Sequence, residues 1–383
     1  MIMLIPKLPS FDTNSPKKPV LGYTKYRFLS QRAKLFWKLL EYRLTNKKHP
    51  IVANLFVTGA CNLSCSYCYP GDDFSIDLSV DQWKTTIDKL YDMGVRFFAI
   101  AGGEPLIYKN VEALVDYLYE KNVICQMTTN GYLVRQKIDM IRKCSMLYIS
   151  LDGNKEAHDF NRGKDSWEKA IDAIVYAREE GIPVRTNFTV TKNNLDQIDY
   201  MLDLAIKYDL TTTFTPLHEG GERGKEDTYE NMWWQENEHT IQFFKTLKEK
   251  KKDPRYAKLI TNGDFAMDYH INYPKPHHEL IMKTDKEASY YTKPCSFGSF
   301  YFQVANNGDV YPCGILWNKT HLFTPKNIFR DGFEEAFDNC YDLKCQSCSF
   351  SNPVEWNEVA TARWFMDGVK SSWHHAMSAR IPT

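Results

Sequence analysis

No run in this chain approaches the roughly 18 unbroken apolar residues that a membrane-spanning helix requires, so no helical span is expected. The first ten residues lack the charged start, long apolar stretch and cleavage site of a secretory signal, and the expected location is cytoplasmic. Net charge is lacking too: Lys+Arg and Asp+Glu both number 48. No whole-protein field gathers nucleic acid, and no nucleic-acid partner is expected. Internal repeats and low-complexity tracts are missing, and 43% hydrophobic with 25% charged residues is the profile of a globular chain. Its 383 residues suffice for one large domain with an appendage or for two ordinary domains.

What the chain does have is ten cysteines. In a reducing compartment these are metal ligands or core residues rather than disulfides, so their positions carry information.

The first 20 or so residues, with Pro6, Pro9, Pro16 and Pro19, read as an irregular arm. A helix is predicted over 26–44, with Phe28, Leu35, Phe36, Leu39 and Leu40 on one face and Arg27, Lys34 and Lys38 opposite. It reads as a cover helix, and its basic amphipathic text also suits weak peripheral contact with a membrane surface. From residue 51, strand text at 51–58, 97–101, 124–128, 146–151, 184–191 and 212–216 alternates with helix-period text at 81–93, 111–121, 166–180 and 195–208. Six parallel β/α units in a curved or closed sheet follow from that alternation. The expected divisions are 1–50 (arm and helix), 51–218 (β/α barrel), 219–290 (linker, helix and substrate-covering loops) and 291–383 (a smaller cysteine-rich domain closed by a helix at 355–377).

Cys61, Cys65 and Cys68 follow the first strand as CxxxCxxC, at the strand's C-terminal edge, where β/α barrels place their chemistry. Three thiolates in eight residues can hold three corners of a [4Fe-4S] cubane and leave the fourth iron open. A zinc site would want a nearby fourth ligand, and a redox pair needs only two cysteines. After the second strand stand Gly102, Gly103, Glu104 and Pro105. The two glycines permit close backbone approach to a ligand, and the carboxylate can accept from an ammonium group; the same text also makes a plain turn.

Together these motifs resemble the radical S-adenosylmethionine (SAM) superfamily, whose signature is CxxxCxxC with an aromatic before the last cysteine, here Tyr67, and GGEP on the second strand. The resemblance implies a partial (β/α)6 barrel in which SAM chelates the open iron, with Gly102, Gly103 and Glu104 at its amino group and the Tyr67 backbone at the adenine. One electron from the cluster then cleaves SAM to methionine and a 5′-deoxyadenosyl radical that abstracts hydrogen from substrate; the cofactor supplies the hard chemistry. Ser150, Asp152, Gly153, His158, Asp159 and Arg162 resemble the fourth-strand segment of the branch carrying SPASM or twitch domains, as do 129–131 and 189–193. By that resemblance Ser150 and Asp152 contact SAM and Arg162 acts at SAM or substrate, although Asp152 also reads as a turn residue and Arg162 as a surface pair. Leu217 matches a place where backbone meets adenine.

A second set follows: Cys295, twelve residues, Gly308, four residues, Cys313, then Cys345 and Cys348 as CxxC. Zinc would accept the same four ligands. The spacing resembles the start of SPASM and twitch domains, with hairpin text at 301–304 and 309–311 around Asn306, Asn307 and Gly308. No cysteine follows Cys348, which suits the shorter twitch form, an α+β domain with one auxiliary [4Fe-4S] cluster on Cys295, Cys313, Cys345 and Cys348. Cys340 is a spare or substrate-near thiol, able to exchange roles with Cys345 or return hydrogen in a redox-neutral reaction. Cys125 and Cys144 read as core residues.

In this branch an auxiliary cluster commonly accepts an electron from a substrate radical, so oxidation is the leading expectation, with epimerisation or bond formation as alternatives. A small metabolite or natural-product precursor is expected as substrate, a peptide second and a lipid-linked molecule third, with flavodoxin or ferredoxin as electron donor. His218, Glu219, Glu222, Arg223, His277 and His278 are candidates to meet a polar substrate at the barrel mouth, or else solvated surface residues.

Overall fold

The computed structural model describes residues 19–45, 49–68, 77–217, 237–277, 279–290, 295–317, 319–350 and 354. A 21-residue helix, α1 (Lys25–Thr45), precedes the sheet. Strands β1 (Val52–Phe56), β2 (Phe97–Ala101), β3 (Ile124–Thr129), β4 (Met146–Ser150), β5 (Val184–Val190) and β6 (Thr211–Pro216) alternate with helices. The helices are α2 (Val80–Met93), α3 (Val111–Glu120), α4 (Ile138–Ile141), α5 (Lys155–Arg162), α6 (Ser166–Glu179) and α7 (Ile198–Tyr208). Each pair from β1 to β6 is parallel, as the alternation predicts.

Local chemistry sets these boundaries. Helix α2 starts in a reciprocal capping box of Ser79 and Gln82 and stops at Gly94, whose φ of +126° suits glycine. Along the strands, Leu55, Ile100, Met127, Ile149, Phe188 and Phe214 are fully buried in one cluster with helix residues such as Trp83, Leu114, Ile174 and Met201. The intervening Asn54, Gln126, Tyr148, Asn187 and Thr213 are half-buried on the other face. Period-2 alternation thus turns an apolar face to the helices and leaves a polar face in the hollow of the sheet.

Beyond β6 come α8 (Glu238–Lys251), α9 (Asp264–Ile271), β7 (Ile281–Met282), β8 (Tyr301–Val304), β9 (Asp309–Tyr311), β10 (Lys326–Asn327), α10 (Phe333–Asp338) and β11 (Cys345–Ser347). Residues 237–277, within the expected linker, helix and covering-loop region, pack against the edge of the sheet. Asn262 clamps the Phe214 backbone with bonds of 2.9 and 2.8 Å, and Phe243 stacks 6.1 Å from Phe188. The cysteine-rich segment is continuous with the barrel sheet: β8 pairs parallel with β1, and the nine strands run β10-β9-β8-β1-β2-β3-β4-β5-β6. The expected helix at 355–377 lies outside the described residues. Among the described residues no helix is long and apolar enough to cross a membrane.

Candidate active site

The cysteine loop leaves β1 laced to the end of β2. Val57 N donates to Ala101 O (2.9 Å), Gly103 N to Thr58 O (2.8 Å) and Glu104 N to Ala60 O (2.8 Å). A Cβ on Gly102 would stand 2.7 Å from Thr58 O and one on Gly103 2.3 Å from Ala60 O. The space the glycines keep open is therefore filled by the cysteine loop's own backbone. The Glu104 carboxylate turns inward, fully buried, and accepts from Leu106 N (3.0 Å), Thr129 Oγ1 (2.8 Å) and Asn130 N (2.7 Å). Burial pushes its pKa up to about 7 against these donors. Asn130 in turn reaches the loop, donating to Asn62 Oδ1 at 2.7 Å with Cys61 Sγ at 3.9 Å.

The far side of the loop is tied to β4 and α5. The Tyr67 hydroxyl donates to Asp152 Oδ2 (2.6 Å), Arg162 Nε to the same oxygen (2.7 Å) and Thr189 N to Oδ1 (3.0 Å). Asp152 is fully buried; burial alone would raise its pKa, but the Arg162 guanidinium outweighs it and the net shift is downward. Burial likewise works against the Arg162 charge, and Asp152 more than restores it. Burial pushes the Tyr67 phenol up, so it remains a donor. Asp152 N donates to His158 Nδ1 (3.1 Å), and burial with the Arg162 charge lowers this imidazole to about 4, keeping it neutral. Ser66 adds two 3.0 Å bonds to Asn161 O. The turn and surface-pair readings of Asp152 and Arg162 are thus replaced by a buried ion pair behind the loop.

Cys61 is exposed and Cys65 and Cys68 are half-buried; none is in a disulfide. Burial raises the Cys61 and Cys65 thiols, so metal binding there must release protons. Ser150 ends β4, and Leu217 N bonds Val190 O at 3.0 Å just past β6, so both stand on the C-terminal rim shared with the cysteine loop.

In the second set, Cys313 and Cys348 are buried and Cys295 and Cys345 half-buried. Burial raises the Cys313 and Cys348 thiols, and Cys295 and Cys345 press both further upward, so the four groups lie near one another. Cys295 N bonds Gln346 O (2.9 Å), and β11 carries Cys345 against β7. Cys340 is fully buried beside Cys313, its thiol directed to Ala336 O (3.7 Å) and Val310 O (3.9 Å). That placement removes the substrate-near reading.

Two features that the motifs did not reveal join the sets. The Asp77 carboxylate accepts from Thr58 Oγ1 at the root of the cysteine loop and from Asn306 Nδ2 in the β8–β9 turn, both at 2.7 Å. Trp317 lies 4.8 Å from Phe56 at the end of β1 and stacks 4.9 Å from Tyr311 on β9. Asp77 and Asn306 are 229 positions apart, and no local spacing signals such a contact.

His277 is buried, bonded to His270 O at 2.9 Å and packed 5.5 Å from Tyr273, not at a mouth. The candidates His218, Glu219, Glu222, Arg223 and His278 lie outside the described residues. Among the described residues, the one group of three ligand atoms mutually within 4.8 Å is Asp159, Asp165 and Glu168, and Lys155 bridges all three. Among the described residues no three thiols lie mutually within that distance, whereas thiolates on one zinc stand about 3.8 Å apart at Zn–S bonds of about 2.3 Å. A loop of three thiols beside a glycine-laced rim, and four neighbouring thiols beside a hairpin, fit the cysteine-bound [4Fe-4S] clusters and SAM of the family the sequence resembles.

Residues 55–205 match the family model described as "Radical SAM superfamily". Fe-coproporphyrin III synthase of Methanosarcina barkeri is 33% identical over 185 residues, 46% of each chain, so the match spans under half of that relative. AdoMet-dependent heme synthase of Nitratidesulfovibrio vulgaris is 26% identical over 296 residues, 68% of this chain and 72% of its own. Among solved structures, SuiB of Streptococcus suis bound to S-adenosylmethionine superposes with a TM-score of 0.61 at 20% identity, over 83% of this chain and 71% of that one, a likeness of fold. With both cysteine sets, the GGEP turn and the parallel sheet in place, the chain belongs to the radical SAM superfamily, in the branch that carries SPASM-type domains.

Proposed function

We propose that the chain is a radical SAM oxidoreductase acting on a small polar substrate held in the hollow of the sheet. When bound at the open iron, SAM supplies a hydrogen-abstracting radical on one-electron reduction. Cys61, Cys65 and Cys68 hold that cluster; Gly102, Gly103 and Glu104 fix the loop beside the SAM amino group, and the Tyr67 backbone, Ser150 and Leu217 line its nucleoside end. Arg162 acts as a positioning residue, locking Asp152 and Tyr67 behind the cluster loop. Cys295, Cys313, Cys345 and Cys348 hold the auxiliary cluster, and the Phe56–Trp317–Tyr311 contact lies between the two sites as a path for the electron that leaves the substrate. A cytoplasmic flavodoxin or ferredoxin donates the first electron.

The observation that carries the substrate reading is the polar hollow. Asn54 Nδ2 bonds Gln303 Oε1 (3.2 Å), and Arg185 bonds Tyr148 Oη (2.6 Å) and Thr211 Oγ1 (3.2 Å). Among strand residues of that face Arg185 is the single cation, near the N-terminal end of β5 at the floor of the hollow, suited to the far carboxylate or phosphate of a substrate. The likeness to a heme synthase over most of both chains supports a small molecule. A peptide is the second reading, supported by the fold shared with SuiB, which has also been solved with its precursor peptide SuiA.

The test is 5′-deoxyadenosine formation by anaerobically reconstituted, dithionite-reduced protein, challenged with small carboxylates, phosphates and peptides. Stimulation by a small anion, with a product lighter by two hydrogens, supports the proposal. Stimulation by peptides alone moves the assignment to peptide maturation, and unchanged product mass moves it to epimerisation.

A further inference from the structure

Helix α1 lies across the N-terminal ends of the strands, opposite the rim that carries the cysteine loop. Gln31 Nε2 donates to Val123 O (2.8 Å), Ser145 Oγ to Gln31 Oε1 (3.1 Å) and Lys34 Nζ to Asn122 O (3.3 Å), while Tyr42 packs edge-on 5.4 Å from Phe300. All these partners stand just before β3, β4 or β8. Phe28 and Gln31 are buried on this inner side.

The outer side is the reverse. Tyr26, Leu29, Trp37 and Leu44 are 77%, 47%, 65% and 77% exposed, and with Ala33 they follow the three- and four-residue spacing of one helical stripe. With Leu21 they make five of the ten large apolar side chains exposed among the described residues. The charge on α1 is equally one-sided. Six cations (Lys25, Arg27, Arg32, Lys34, Lys38 and Arg43) against Glu41 give +5, on a chain whose net charge is zero. Lys38 pairs with Glu41 at 2.7 Å, whereas among the described residues Lys25, Arg27, Arg32 and Lys34 have no carboxylate partner, Arg27 and Lys34 bonding the Tyr119 and Asn122 carbonyls instead. Arg27 and Arg32 stack at 3.6 and 3.4 Å over Tyr119 and Phe28, which holds their charge against apolar surface.

We propose that α1 is an interfacial anchor that seats the base of the barrel on anionic lipid headgroups. An exposed Trp, Tyr and Leu stripe flanked by cations in excess over carboxylates complements an apolar interface under negative charge. A second copy of the chain complements it poorly, because the same helix would bring +5 against +5. The anchor leaves the cysteine rim facing water, so the helix does not present a lipid-linked substrate to the active site. It stands apart from the proposed reaction.

The experiment is co-sedimentation of the reconstituted full chain with vesicles of phosphatidylcholine alone or with about one-third phosphatidylglycerol. We expect about tenfold more bound protein on the anionic vesicles, lost at about 0.5 M salt and in Trp37→Glu, with iron content and the SAM-perturbed cluster spectrum of the variant unchanged. The pair Leu29→Ser/Leu44→Ser repeats the test should Trp37→Glu lose its iron. Equal binding to neutral vesicles, no binding to either, or a dimer in sedimentation velocity that Trp37→Glu splits would overturn the proposal.

Discussion

Tyr67 and Asp152 are joined by a 2.6 Å hydrogen bond between cysteine loop and fourth-strand rim, and the accepting oxygen is the one Arg162 Nε holds at 2.7 Å. The bond couples the position of Cys65 and Cys68 to a buried ion pair. Tyr67→Phe removes one charge-assisted bond and is expected to cost about 1.5–3 kcal/mol. Asp152→Asn strands the buried Arg162 charge and is expected to cost about 3–5 kcal/mol. Arg162→Met added to Asp152→Asn recovers part of that loss. Denaturant midpoints of the four proteins check the order.

Glu104 and His158 give opposite pH slopes. The folded pKa of Glu104 is raised from 4.5 to about 7. The unfolded chain releases this proton first, so the Glu104 contribution to stability falls as pH rises from 4.5 to 7. The folded pKa of His158 is lowered from 6.5 to about 4. There the unfolded chain takes up a proton first, and stability falls as pH drops from 6.5 to 4. Unfolding free energies measured across this window, each as a difference from Glu104→Gln or His158→Asn, are expected to slope in these two directions.

Gly103→Ala forces a Cβ to 2.3 Å from Ala60 O in the backbone of the cysteine loop. The expected outcome is selective loss of the first cluster, with iron falling from about eight to about four per chain and the auxiliary signal retained. Iron analysis with Mössbauer spectroscopy of the reconstituted variant reads it directly.

Cys340 and Cys348 are both buried, but Cys348 feels the charges of Cys295, Cys313 and Cys345, and Cys340 that of Cys313 alone. Cys340→Ala is expected to keep about eight irons and Cys348→Ala to keep about four. Equal loss in both variants would place Cys340 in the ligand set.

The six parallel strands were legible because each carries β-rich text bounded by turn residues, and Phe97–Ala101 has the predicted bounds. Cys61, Cys65, Cys68 and the GGEP turn were legible because their chemistry is written in contiguous spacing. The pairing of β8 with β1 was not, since Tyr301–Val304 reads as hairpin text and nothing local names a partner almost 250 residues away. Asp77, Trp317 and the inward turn of Glu104 depend on tertiary packing in the same way. His277 was misread because a polar residue in polar text looks solvated until aromatic neighbours bury it.

Electron paramagnetic resonance of the dithionite-reduced protein, recorded with and without SAM, tests the central claim most directly. The [4Fe-4S] signal held by Cys61, Cys65 and Cys68 is expected to change on adding SAM, with 5′-deoxyadenosine formed, in wild type and in a protein lacking the auxiliary cysteines. An unchanged signal and no 5′-deoxyadenosine, with those three cysteines and four irons in place, would contradict it.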